Sequence, residues 1–210
     1  MTASESLGRL KQAYTSEGRA MASGLMARLG RTRVTPNMLS ATGLALCIAG
    51  SVAVYFEYRA WWLFLVGSAL FVVGSLVDIL DGALARSQGL GTPFGAFLDS
   101  TLDRVGEGFM LGAIALVLMR DGNEWGVAFA FAAVMGSFLV SYTRARAEAL
   151  GLRGDVGLSS RAERVVIISV GLAFASLGSL PYVVAVLTAT AWITVVQRVL
   201  AVRAQLRSRE

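Results

Sequence analysis

Apolar residues dominate this chain in long stretches, separated by short polar connections. Six stretches are long enough for helices that cross a bilayer, at roughly 38–56, 61–86, 94–119, 125–149, 163–180 and 182–205. About 20 apolar residues suffice to cross the hydrocarbon core, so the longer stretches are expected to tilt or to extend into water. The connections carry helix-end signals. Thr35-Pro36-Asn37 opens the first stretch, with Thr35 suited to capping and Pro36 to the first turn. Ser87 to Pro93 joins the second and third, Gly151, Gly154 and Gly157 interrupt the pattern before the fifth, and Leu177 to Pro181 makes the last turn. Ahead of these, Leu7, Leu10, Tyr14, Met21, Leu25 and Leu29 recur at helical spacing among Arg9, Lys11, Arg19 and Arg28. That stripe predicts an amphipathic helix on the membrane surface, with a frayed terminus as the alternative.

The expected fold is therefore an all-α integral membrane protein, with six transmembrane helices and an N-terminal amphipathic surface helix. Residues 1–34 form the cytoplasmic surface helix in this reading, 35–205 the membrane domain and 206–210 a cytoplasmic tail. Composition agrees: 55% of residues are hydrophobic, 16% are charged, and the mean hydropathy is +0.63. The first 30 residues lack the continuous apolar core of a cleavable signal peptide.

The net charge is +5, from 19 Lys and Arg against 14 Asp and Glu. Only Arg59 and Arg120 fall in the connections after the first, third and fifth stretches. The positive-inside rule then puts both termini in the cytoplasm, for a multi-pass protein of the cell membrane. Anionic membrane lipids account for the basic balance, so no nucleic-acid partner is expected. The chain has no His and one Cys, which excludes a Ser-His-Asp triad, a Cys/His zinc site and an internal disulfide. A general base must then be a carboxylate or, less readily, Lys or Tyr.

Four aspartates interrupt the apolar pattern. Asp78 and Asp81 are three apart at the end of the second stretch; Asp99 and Asp103 are four apart at the start of the third. Each pair shares a helix face. The short link predicts antiparallel neighbours on which all four carboxylates converge, near the cytoplasmic side. Carboxylates inside a membrane segment are costly and usually functional. Gathered together they repel, and one or two hard divalent cations would compensate. A carboxylate-bound metal pair suits phosphoryl transfer. Structural pairing with Arg86 or Arg104, and a proton or cation pathway, remain alternatives.

The pattern Asp78-x2-Asp81-Gly82-x2-Ala85-Arg86-x8-Gly95-x3-Asp99-x3-Asp103 resembles the signature of the CDP-alcohol phosphotransferase family. The resemblance implies a homodimeric enzyme that replaces CMP on a CDP-alcohol with an acceptor alcohol, using two Mg²⁺ or Mn²⁺ ions. It implies Asp78, Asp81, Asp99 and Asp103 as metal ligands, with Asp103 also the catalytic base. Gly82, Arg86 and Thr92 would contact the donor, CDP-diacylglycerol. Asn37, Met38, Leu39 and Ser40 would line the same pocket.

The acceptor is expected to be read by the second half. Arginines from three helices point to the cytoplasmic side, and their planar fork suits a phosphate. Ser141 to Asp155, continuing to Arg161-Ala162-Glu163-Arg164, resembles phosphatidylinositol phosphate synthases of the actinobacterial type and their archaeal counterparts. That resemblance implies inositol 3-phosphate (1L-myo-inositol 1-phosphate) as acceptor, held by Arg144, Arg164 and Arg198. Arg144 stands where Lys is common, and Ala162 where Pro is often found. Glycerol 3-phosphate is the alternative acceptor, and a cation or proton transporter the alternative from another class. Glu107, one turn beyond Asp103, has no assigned role.

Overall fold

The computed structural model describes residues 35–209, which fold into six α-helices. These are α1 (Pro36–Tyr55), α2 (Leu63–Gln88), α3 (Pro93–Arg120), α4 (Glu124–Ala149), α5 (Arg161–Ala173) and α6 (Leu180–Arg207). Short 3-10 turns follow α1 at Glu57–Arg59 and α5 at Ala175–Leu177. The expected surface helix within 1–34 lies outside the described residues.

Local chemistry sets the helix ends. Thr35 Oγ1 accepts from Met38 N at 3.3 Å, and Pro36 follows it as the first helical residue. Thr92 repeats the device for α3, accepting from Gly95 N at 2.9 Å ahead of Pro93. A side-chain oxygen here satisfies a backbone donor that has no partner within the helix. α2 stops at Gly89, whose φ of 65° is left-handed and suits glycine.

Among the described residues, four helices are long and apolar enough to cross a membrane: α1, α2 up to Ala85, α4 and α6. The other two differ from expectation for separate reasons. α3 has 28 residues, but Asp99, Asp103, Arg104 and Glu107 charge its first half. α5 has only 13 residues, about 20 Å at 1.5 Å per residue. It tightens to a 3-10 turn and ends at Gly178 with φ 75°, where a continuous helix to 180 was expected.

The helices close into a ring. α1 packs on α2 and α3, α2 on α5, α5 on α6, α6 on α4, and α4 on α3. The expected direct pairing of α2 with α3 is sparse, because both pack chiefly on α1. Small residues on α1 permit this. A Cβ added at Gly43 would lie 2.8 Å from Gly74 O, and one at Gly50 would lie 2.8 Å from Gly67 O. On the other side, a Cβ at Gly106 of α3 would meet Cys47 Cβ at 3.2 Å. Met110, Ile114, Ile168, Leu172, Val184 and Leu187 form the middle of the core. Large apolar side chains such as Ile79, Phe131, Val170 and Val196 are exposed, as a lipid-facing surface requires and a water-facing one disfavours.

The two ends of the bundle have different chemistry. Glu57, Asp121, Trp125 and Tyr182, from the three odd-to-even turns, line one hollow. Arg120 ties two of those turns, pairing with Glu57 at 2.7 Å and donating to Tyr55 O. Trp61, Trp62, Trp125 and Tyr182 are exposed there, an arrangement that fits an aromatic interface belt. The aspartates belong to the opposite end.

The α1–α2 crossing yields a test. A Cβ at Gly67 would come within 2.4 Å of Val54 Cγ2 and 2.8 Å of Gly50 O. Gly67→Ala is expected to destabilise the protein by about 1–3 kcal/mol, read as a lower Tm in detergent. A wild-type Tm would mean that this crossing relaxes freely.

Candidate active site

At the end of the bundle bearing the α2–α3 link, aspartates from two helices face one another. Oxygens of Asp78, Asp99 and Asp103 lie within 4.8 Å of one another. Asp78 and Asp81 are buried, while Asp99 and Asp103 are partly open. Asp81 stands apart from the triplet and accepts the Ser40 hydroxyl of α1. The sequence expectation of four converging carboxylates thus becomes a triplet with a neighbour held by α1.

Two cavities open on this cluster. The first, about 440 Å³, is lined by Thr35, Asn37, Ser40, Asp81, Gly82, Thr92 and Asp99 among others. The second, about 950 Å³, is lined by Asp99, Ser100, Asp103, Ser141, Arg144, Glu148 and Arg161 among others. Asp99 and Ala96 belong to both. The walls therefore leave two adjoining spaces meeting beside the carboxylates.

The expected donor-pocket residues divide. Asn37, Ser40, Gly82 and Thr92 line the first cavity. Met38 and Leu39 do not: three residues apart, 37 and 40 share one helix face, and 38 and 39 turn away from it. Met38 is 55% exposed. The Arg86 side chain lies outside the described residues.

The acceptor arginines divide too. Arg144 lines the second cavity and pairs with Glu148 at 2.8 Å, both side chains more than half exposed. Such an exposed pair is weak and readily exchanged. Arg164 and Arg198 do not line the cavity. Arg164 is buried and donates twice to Glu107, at 2.6 and 2.9 Å, and once to Ser159 O. Arg198 is buried and donates to the carbonyls of Val156, at 2.8 Å, and Val140. Their helix ends were expected to face the cavity; instead each buried charge found internal partners, as burial demands.

Sequence reasoning missed Arg161 as an individual. Its Nη1 donates to Asp78 and lies 2.7 Å from Asp103 Oδ1. The available signal was its position three residues before Arg164, which puts both on one helix face.

The CDP-alcohol phosphatidyltransferase family model matches residues 33–197. This chain belongs to that family. The phosphatidylinositol phosphate synthase of Mycolicibacterium smegmatis is 35% identical over 201 residues, covering 92% of this chain and 86% of that one. The archaetidylinositol phosphate synthase of Pyrococcus horikoshii is 37% identical over 178 residues, covering 82% and 87%. Among solved structures, the Mycobacterium tuberculosis phosphatidylinositol phosphate synthase with CDP-DAG bound superposes with a TM-score of 0.78 at 29% identity. The match covers 87% of this chain and 94% of that one. The same enzyme in complex with manganese and citrate gives 0.73 at 32% identity, covering 87% of each chain.

The residues here fit a divalent metal of the kind seen in that relative. The donors are all hard carboxylate oxygens, which select Mg²⁺, Mn²⁺ or Ca²⁺ over softer ions. Asp103 Oδ1 is buried and is met by the Arg161 guanidinium at 2.7 Å, a cation where an ion could also sit, and the triplet is compact enough for its members to share one. In this CDP-alcohol phosphatidyltransferase, Asp99→Asn is expected to weaken Mn²⁺ binding by roughly tenfold or more, with Tm within a few degrees of wild type. Free Mn²⁺ measured by electron paramagnetic resonance reads the loss. Unaltered affinity in a folded variant would remove Asp99 from the ligand set.

Proposed function

We propose that this transferase moves the phosphatidyl group of CDP-diacylglycerol to inositol 3-phosphate (1L-myo-inositol 1-phosphate), giving phosphatidylinositol phosphate and CMP. The observation that carries the reading is the pair of cavities meeting at Asp99. One is walled by the start of α1, Gly82 and the Thr92 cap; the other holds Arg144, Arg161 and several hydroxyls beside Asp103. A nucleotide donor and a phosphorylated polyol need two such spaces that touch at the reacting phosphorus. The two named synthases, from a bacterium and an archaeon, both make inositol phosphate lipids by their names, which favours this acceptor over glycerol 3-phosphate.

In this reading Asn37, Ser40, Gly82, Arg86 and Thr92 receive the CDP part of the donor. The small Gly82 beside Asp81 leaves room for the pyrophosphate to approach backbone. Arg144 and Arg161 receive the acceptor phosphate and so fix which hydroxyl reaches Asp103. Asp103 accepts the proton of that hydroxyl as its oxygen bonds to the β-phosphorus. The bond from that phosphorus to the oxygen bridging to CMP breaks, and CMP departs with the bridging oxygen. Asp78, Asp99 and Asp103 would hold one Mg²⁺ or Mn²⁺, and Asp81 with Asp99 would contribute to a second. When bound, the ions neutralise the pyrophosphate and the charge developing on the leaving group.

All six helices cross the cell membrane in this reading. α3 buries its charges in the site, and α5 gains length from the 3-10 turn after it. The cytoplasmic side is the aspartate end, where Arg144, Arg146, Arg161 and Arg203 accumulate. The aromatic turns face outward, and both termini are cytoplasmic. The membrane domain spans 35–205, followed by a short tail. The chain pairs with a second copy. A groove of about 690 Å³ lined by Gly108, Phe109, Gly112, Leu116 and Phe138 supports this pairing, since small residues favour close helix approach in lipid.

The test is CMP release from CDP-diacylglycerol with Mg²⁺, run with inositol 3-phosphate, glycerol 3-phosphate, inositol and serine in parallel. Release is expected with inositol 3-phosphate; release with glycerol 3-phosphate alone would overturn the acceptor. Asp103→Asn is expected to lower turnover by roughly 10²-fold or more with the fold intact. Normal turnover in a folded Asp103→Asn variant would remove Asp103 as base.

A further inference from the structure

Glu107 and Arg164 are the most deeply buried ion pair among the described residues, each side chain 4% exposed. The pair is bidentate, with Arg164 Nε 2.6 Å from Glu107 Oε1 and Nη2 2.9 Å from Oε2. Both Glu107 oxygens are engaged, so Glu107 is not available as a further metal ligand. Arg164 Nη1 also donates to Ser159 O, just before α5 begins. A bidentate fork fixes position and orientation together.

The surroundings give this pair a consequence. Glu107 lies one turn after Asp103 on α3, and Arg164 lies one turn after Arg161 on α5. The two helices are therefore bridged by two rungs. The inner rung, Glu107–Arg164, is closed off from the cavity. The outer rung, Arg161 against Asp103 and Asp78, opens on it. Direct contacts between α3 and α5 are otherwise sparse, since α5 packs chiefly on α2 and α6. Ser68 of α2 also donates to Ser169 O of α5 at 3.0 Å, and Ile168 and Leu172 enter the core, but Glu107–Arg164 is the inner charged bridge that links α5 directly to α3.

We infer that Glu107 is a positioning residue for the transfer reaction: by clamping Arg164 it sets the register of α5, and that register aims Arg161 at Asp78 and Asp103. Arg161 and a divalent cation then compete for the same carboxylate oxygens. The position of Arg161 tunes how tightly the cation is held and where the acceptor phosphate is met. This rests on the reading of the Asp78, Asp99 and Asp103 cluster as the metal site.

A double-mutant cycle in the detergent-solubilised full chain tests it, read by Mn²⁺ affinity through electron paramagnetic resonance and by KM for each substrate. Arg161→Ala removes a competing positive charge and is expected to tighten Mn²⁺ binding about tenfold, while raising KM for inositol 3-phosphate. Glu107→Gln is expected to shift both quantities in the same directions, with KM for CDP-diacylglycerol unchanged. In the Arg161→Ala background, Glu107→Gln should add nothing. Glu107→Asp, which keeps the charge, should restore most of the wild-type behaviour. Weaker or unchanged Mn²⁺ affinity in folded Glu107→Gln, or effects additive with Arg161→Ala, would overturn the positioning role.

If Glu107→Gln fails to fold, the paired replacement Glu107→Leu with Arg164→Met removes both buried charges at similar volume. A Mn²⁺ affinity and acceptor KM matching wild type in that variant would also overturn the inference; the Arg161→Ala pattern would support it. Wild-type protein that binds no Mn²⁺ would take down the metal-site reading and this inference with it.

Discussion

Negative charge gathered in a low-dielectric interior must be met by positive charge, and the rest of this molecule is organised around that requirement. Asp78, Asp99 and Asp103 bring oxygens within 4.8 Å of one another. Their mutual repulsion would disfavour a common ionised state without a counter-charge. Arg161 supplies one from across the bundle, reaching both Asp78 and Asp103. The same oxygens suit a hard divalent cation. The site is thus an anionic centre that a guanidinium already meets and that a hard divalent cation could share.

That centre depends on how closely helices approach. α2 and α3 carry the aspartates but touch each other little; α1 is the element against which both are set. Its Gly43, Cys47 and Gly50 let the backbone of α2 come near, and Ser40 on the same helix holds Asp81. A larger residue at those positions would spread the frame that aims the carboxylates. α5 follows a different logic: it is short, and a buried charge pair adds to the apolar packing of Ile168 and Leu172 in linking it to α3. Buried pairs of this kind serve geometry more reliably than stability.

Division of labour between the two cavities follows from the same arrangement. Asp99 stands on both, so in the proposed reading a donor on one side and an acceptor on the other would meet at a common carboxylate edge. Arg144, in a weak exposed pair, lines the second cavity, whereas Arg164 and Arg198 are buried against internal partners behind it. Membership of the CDP-alcohol phosphatidyltransferase family accords with this layout, in which a carboxylate cluster stands between two cavities.

Much of this was legible in the chain itself. Helix positions followed from apolar run lengths and from Thr-Pro and glycine end signals, because local hydrogen bonding and burial set those boundaries. Candidate metal-binding aspartates were legible because a carboxylate in an apolar run is costly and its spacing is set by helix geometry. The partners of the arginines were not legible: Arg144, Arg161, Arg164 and Arg198 look alike in sequence. Which one reaches the cavity depends on side-chain direction and on contacts between helices far apart in the chain. The same holds for α1 standing between α2 and α3, and for Asp81 standing outside the triplet to accept from Ser40. Sequence by itself determined where the helices lie and which residues can do chemistry. Only the tertiary structure decided which charges meet, because pairing energies arise between helices and no local pattern encodes them.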